Sequence, residues 1–217
     1  MHKRLSTIWS GLAVAPVSYL LTGPALAHHA MDGKLPTTLM EGLISGLAHP
    51  IIGYDHLAFV IAVGLVAALV GSPLLIPVAF IIGTLLGAGI HLAGITLPMA
   101  EVVIALSVLA IGAAVMLARR VSPTVIAACV AFAGVFHGFA YAESIVGSEA
   151  TPLVAYLAGF AMIQIAISVG AALIATHIAA HPHGLALAPR FAGAMVAGIG
   201  IALVADRLKA LVFPSIT

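Results

Sequence analysis

Residues 123–146 read PTVIAACVAFAGVFHGFAYAESIV. Apart from Glu143 and His137, the run is built from apolar, small and hydroxyl-bearing residues. A helix that crosses a bilayer needs about 20 mostly apolar residues, so this stretch predicts a membrane-spanning helix. Five more runs of that length surround it, at about 50–70, 73–92, 98–118, 152–176 and 190–212. Turn-like separators divide them: Gly71-Ser72-Pro73, Gly94 to Pro98, Arg119 to Pro123, Gly147 to Pro152 and His181 to Pro189. Gly83/Gly87 and Gly134/Gly138 have the spacing that lets helix backbones approach closely.

The composition agrees. Of 217 residues, 63% are hydrophobic and 7% charged, against about 25% charged in an average soluble domain. The mean hydropathy is +1.24. Eight basic and seven acidic residues cannot cover the surface of a soluble protein of this size, and disorder, collagen and coiled coil are excluded by the even spread of apolar residues. The class is therefore an all-α, multi-pass membrane protein. A lone cysteine, Cys129, excludes a disulfide framework and a thiolate metal site. The net charge of +1 says nothing about nucleic acid or acidic partners; no nucleic-acid partner is expected. Ten histidines outnumber all Lys and Arg.

Residues 1–27 read as a signal peptide, with Lys3 and Arg4 ahead of a short, Pro16-broken apolar stretch and Ala25-Leu26-Ala27 as an A-x-A cleavage site. The mature chain, 28–217, then forms one transmembrane domain that starts at His28-His29 outside a bacterial cytoplasmic membrane. Before the first span, residues 38–49 predict a short amphipathic or re-entrant helix. Thr38 and Glu41 fit a capping box, and Glu41, Ser45 and His49 make a polar stripe. The first span is expected to be continuous from Pro50, with His49 as its cap. Strict alternation of six spans puts Arg119, Arg120 and Arg190 inside, as the positive-inside rule expects. Arg207 and Lys209 fall outside, against it. Three spans per half would make the halves inverted, a transporter hallmark, although no repeat is readable along the chain.

On this topology His49, Asp55, His56, His137 and Glu143 share one depth in the outer half, with His91 and Glu101 as further members. Gln164 lies mid-span and reads as an interhelical hydrogen-bonding residue. An acid at a helix centre costs about 2.5–3.5 kcal/mol, and the first five spans carry no Lys or Arg to offset it. A divalent cation would. Imidazole and carboxylate without thiolate suit Ni²⁺, Co²⁺ or Zn²⁺.

His49-Pro50-Ile51-Ile52-Gly53-Tyr54-Asp55-His56 resembles the HPxxGxDH signature of the HupE/UreJ proteins, and Phe136-His137-Gly138-Phe139-Ala140-Tyr141-Ala142-Glu143 resembles their FHGxAxxE signature. The resemblance covers essentially the whole mature chain. It implies a secondary permease for nickel or cobalt, with metal handling on His49, Asp55, His56, His137 and Glu143. It implies no permanently bound cofactor. The expected partners are the transported ion and membrane lipid, and an oligomer is left open. Secondary metal candidates are His28 and His29 at the mature N-terminus, and His177, His181 and His183 at the inner end of the fifth span, where His177 and His181 are four apart.

Two other chemistries use similar residues. A membrane-embedded zinc hydrolase needs an open metal position and an activated water; Ser144 is close in sequence, but no nucleophile motif surrounds it. Haem ligation by facing histidines is the other. An ATP-driven pump is not expected of this chain, which carries no G-x-x-x-x-G-K-[ST] loop.

Overall fold

The computed structural model describes residues 34–118, 121–180 and 187–212. Residues 1–27, read above as a signal peptide, and His28, His29, His181 and His183 lie outside these residues. Among the described residues there are seven helices and no strand: α1 (Leu39–Ile52), α2 (Tyr54–Leu69), α3 (Leu75–Leu92), α4 (Ala100–Met116), α5 (Pro123–Glu143), α6 (Ala150–Ala179) and α7 (Ala188–Val212). By length and apolarity α3, α5, α6 and α7 can each cross a membrane. The bent pair α1–α2 can make a fifth crossing, and α4, with 17 residues, is apolar but shorter. Large apolar side chains face outward, such as Met195 at 73% and Phe132 at 62% exposure. Lipid accommodates that surface where water would not.

The capping box at the start of α1 is present. The Thr38 hydroxyl accepts from the Glu41 N–H, and the Glu41 carboxylate accepts from the N–H groups of Thr37 and Thr38. The polar stripe turns inward, with Ser45 and His49 both buried. The continuous span from Pro50 does not form. α1 runs on through Pro50 to Ile52, and α2 leaves it at 81°. Pro50 supplies no N–H to the preceding turn. It sits so near the C-terminus that the loss ends the helix rather than kinking a long one. Gly53 then adopts extended backbone, φ −75° and ψ 102°, and a Cβ there would stand 2.8 Å from the His56 ring. His49 is therefore in the last turn of α1 and His56 in the first of α2, and they share no helix face.

Loop lengths set the helix directions. The six residues between α5 and α6 reach about 20 Å at most, while α5 is about 31 Å long, so the chain must turn back. The turns on either side of α4 are similarly short. α3 and α5 thus run the same way and pack closely, Gly83 against Ala131 and Gly134 against Phe80. α4 and α7 run oppositely, with Gly112 on Ala197 and Gly200 on Leu109.

The packing of α5 on α3 recurs as the packing of α1 on α6. Gly46 has no room for a Cβ because of the Tyr156 carbonyl, and Gly134 because of the Phe80 carbonyl. Gly159 closes on Leu43 as Gly83 closes on Ala131. One constant offset carries Gly46 and His49 onto Gly134 and His137, and a second carries Tyr156 and Gly159 onto Phe80 and Gly83. The ring contacts repeat as well: His49 to Tyr156 is 6.1 Å at 83°, and His137 to Phe80 is 6.1 Å at 78°. The two pairs run in opposite directions, and α4 lies antiparallel to α7. That is the pattern of an inverted repeat.

Candidate metal site

Three imidazoles meet at the break between α1 and α2. His49, His56 and His137 are 6%, 7% and 0% exposed. Ring centroids lie 6.1 Å apart for His49–His56 and 5.2 Å for His56–His137. Tyr141 closes the group, 5.1 Å from His49 and 4.3 Å from His56. Phe59 covers His137 at 4.3 Å. His137 lies six residues before the C-terminal end of α5, about 9 Å along its axis.

The hydrogen bonds assign the ring tautomers. Ser107 of α4 gives its single hydroxyl hydrogen to the Ile104 carbonyl at 2.7 Å. Its oxygen, 3.0 Å from His137 Nε2, therefore accepts from that nitrogen. His137 Nδ1 is then the acceptor in its 3.0 Å contact with His56 Nδ1. His56 accordingly carries its proton on Nδ1 and its lone pair on Nε2. At His49 the logic repeats with other residues. The Tyr156 and Ser144 hydroxyls both donate to the Tyr141 carbonyl, at 2.8 and 3.0 Å. That carbonyl belongs to the last turn of α5, where helical donors have run out. Both oxygens lie near His49 Nδ1, at 3.0 and 3.2 Å, and 3.1 Å from each other; with both hydrogens on the carbonyl, Nδ1–H donates and the lone pair sits on Nε2. A metal-binding imidazole is commonly held this way, with its second nitrogen donating to a fixed oxygen.

Asp55 is half-buried beside the rings, and its Oδ1 accepts from the His56 N–H at 2.8 Å. It lies in the first turn of α2, where a negative charge suits the helix dipole, next to the cluster. The remaining expected members stand apart. Glu143 is exposed at the end of α5. Six residues separate it from His137, which turns it about 120° away round the helix. Equal depth did not mean an equal face. Glu101 is exposed and forms an ion pair with Arg207 of α7. That pair supplies the cationic partner expected to be lacking for this acid, and it accounts for Arg207 at the end assigned to the outside. His91 stacks on Phe139 at 4.3 Å and does not join the cluster. His177 is exposed near the end of α6, which stops at Ala179, before His181. Gln164 does not bridge helices by hydrogen bonds: among the described residues neither amide atom has a partner.

Tyr156, Tyr141 and Ser107 entered only with the structure. Their signal in the sequence is a hydroxyl inside an apolar span, too common to single out. Ser144, considered above as a nucleophile, gives its hydrogen to a carbonyl and so is not activated by His49. Among the described residues no three His, Cys, Asp or Glu side chains are arranged to hold one ion. As placed, His56 and His137 spend a nitrogen on each other.

The fold and site define a multi-pass helical membrane protein with a buried imidazole cluster between oppositely directed helix pairs. The family model described as HupE / UreJ protein matches residues 16–203. The chain is 34% identical over 162 residues to "Protein HupE" of Rhizobium leguminosarum bv. viciae, covering 73% of this chain and 76% of that protein. No solved structure matches. The chain belongs to the HupE/UreJ family. Membership places it among metal-transport proteins and not among enzymes.

Proposed function

We propose that this protein is a secondary permease that carries Ni²⁺ or Co²⁺ across the bacterial cytoplasmic membrane. It has six spans, α1–α2 counting as the first and α4 as the third, and a periplasmic N-terminus once the signal peptide is removed. The observation that carries this reading is the set of three buried imidazoles on three helices, at a broken span, beside one carboxylate. An imidazole nitrogen sits about 2 Å from its metal, so rings that share an ion have centroids roughly 5–6 Å apart. The steps of 5.2 and 6.1 Å fall close to that range.

Neutral rings lower the cost of a membrane site without cargo, and Asp55 offsets the charge of an arriving cation. Glu143, on the outer rim, draws cations to the mouth. Binding replaces the direct His56–His137 contact with bonds to the ion. His49 needs only its Nε2 lone pair, because Tyr156 and Ser144 already hold the other nitrogen. The cation is cargo, taken up on one face and released on the other, and no resident cofactor is required.

The test is uptake by proteoliposomes offered Ni²⁺, Co²⁺, Zn²⁺ and Mn²⁺ in turn. Ni²⁺ or Co²⁺ should accumulate ahead of the other two. Purified, inserted protein that moves neither would overturn the reading. A pH difference imposed without a metal gradient then tests coupling: accumulation above equilibrium that collapses with a protonophore marks proton exchange.

A further inference from the structure

One face of α6 is buried along most of its length. Tyr156, Phe160, Gln164, Ser168 and Ala172 recur every fourth residue, each at 0% exposure. The outer part of this face meets α1 and the histidine cluster. The inner part meets α2, where Gly64 closes on the Ser168 carbonyl. Gln164 lies eight residues beyond Tyr156, about 12 Å further along the axis.

Three observations make this amide unusual. It is fully buried, and among the described residues neither Nε2 nor Oε1 has a hydrogen-bond partner. Burying an unpaired amide opposes folding, so packing alone does not account for it. Ser168, one turn on, gives its hydrogen to the Gln164 backbone carbonyl at 2.6 Å, which leaves its oxygen as a second acceptor. Lastly, the repeated packing needs no polar group there. The offset that carries Tyr156 onto Phe80 carries Gln164 onto Ala88, which is 1% exposed.

We propose that the Gln164 amide oxygen and the Ser168 hydroxyl oxygen form a second, weaker station for the transported divalent cation and its hydration waters, inward of the histidine cluster. This rests on the permease reading above. Neutral oxygen donors suit a transit point, because conduction needs sites that a cation can leave as well as enter. Imidazoles capture at the outer side, and amide and hydroxyl oxygens pass the ion on.

The experiment compares wild type, Gln164→Leu and Gln164→Glu in the full-length protein, with Ni²⁺ as probe. Three quantities are read: thermal melting, equilibrium Ni²⁺ binding in detergent and uptake rate in proteoliposomes. Gln164→Leu should melt at or above the wild-type temperature and bind Ni²⁺ within about twofold. Its uptake should slow by at least tenfold. Gln164→Glu, which restores an oxygen, should regain uptake relative to Leu. Uptake by Gln164→Leu within twofold of wild type overturns the proposal, as does parallel loss of Ni²⁺ binding, which would make the residue part of the outer cluster. Should Gln164→Leu fail to insert, Gln164→Ala is judged by the same limits. Wild type that moves neither Ni²⁺ nor Co²⁺ refutes the permease reading instead, and that arm is scored separately.

Discussion

The α1–α6 pair and the α5–α3 pair share a backbone arrangement and differ in how each holds its histidine. In the first pair Tyr156 lies against His49 and reaches its Nδ1 through the phenol oxygen. In the second, Phe80 takes the corresponding place against His137 and offers no polar atom. His137 is held instead from α4, by Ser107, and by His56 from α2. Equal packing thus supports unequal chemistry. The His49 side is fixed within its own pair and the turn that follows α5, whereas the His137 side depends on neighbours that break the repeat.

The largest effect expected on this comparison comes from the histidines themselves. His49→Ala and His137→Ala should each abolish or strongly reduce Ni²⁺ uptake at limiting metal with membrane insertion intact, while the buried partners left unsatisfied lower stability by about 1–3 kcal/mol. Uptake assays with a parallel insertion check decide this. Full activity in either variant would break the functional equivalence of the two positions.

Next come the equivalent glycines. Gly46→Val meets the Tyr156 carbonyl and Gly134→Val the Phe80 carbonyl. Overpacking of this kind costs about 1–3 kcal/mol or more, so both variants should melt lower, by similar amounts. A marked asymmetry in melting temperature would show that the two interfaces are not equivalent in energy.

A smaller effect is expected from making the first pair resemble the second. Tyr156→Phe removes the acceptor from His49 Nδ1 while keeping the ring. Loss of such a partner typically costs 10–100-fold in metal affinity, and Ni²⁺ titration should show a loss at the lower end, because Ser144 remains. The reverse change, Phe80→Tyr, buries a hydroxyl. If it finds no acceptor, stability should fall by about 1–3 kcal/mol in a melting measurement.

The smallest effect belongs to Arg207→Met. It leaves Glu101 without its ion pair, but Glu101 is exposed and Arg207 only half-buried, and pairs at such a surface are worth about 0–1 kcal/mol. Uptake should be unchanged within twofold. A large loss would return Glu101 to the metal path.

Much of the architecture was legible because bilayer physics is coarse. Apolar runs of spanning length mark helices, and short turns force alternation. Both signatures could be seen because His49, Asp55, His56 and His137 stand out against apolar neighbours. The repeat was not legible. It is carried by Gly46 and Gly134 at close approaches and by one histidine in each half, too few identities to rise above an apolar background. Glu143 misled because depth along a helix can be counted from sequence, whereas its facing away from His137 matters only once α5 has neighbours. Gln164 misled in the opposite sense: an amide in a span suggests a partner across the interface, and the packing of the described residues provides none.

By itself the sequence determined the membrane class, the apolar segments, the capped start of α1 and the two His-bearing signatures. Each depends on local composition and spacing, which hydropathy and helix geometry translate directly. The tertiary structure alone decided that α1 and α2 break at Gly53, that two helix pairs repeat in opposite directions, and which oxygens face the ring nitrogens of His49 and His137. Those outcomes depend on contacts between residues far apart in the chain, such as Ser107 with His137 and Tyr156 with His49. No local rule couples such positions; close packing of the folded bundle does.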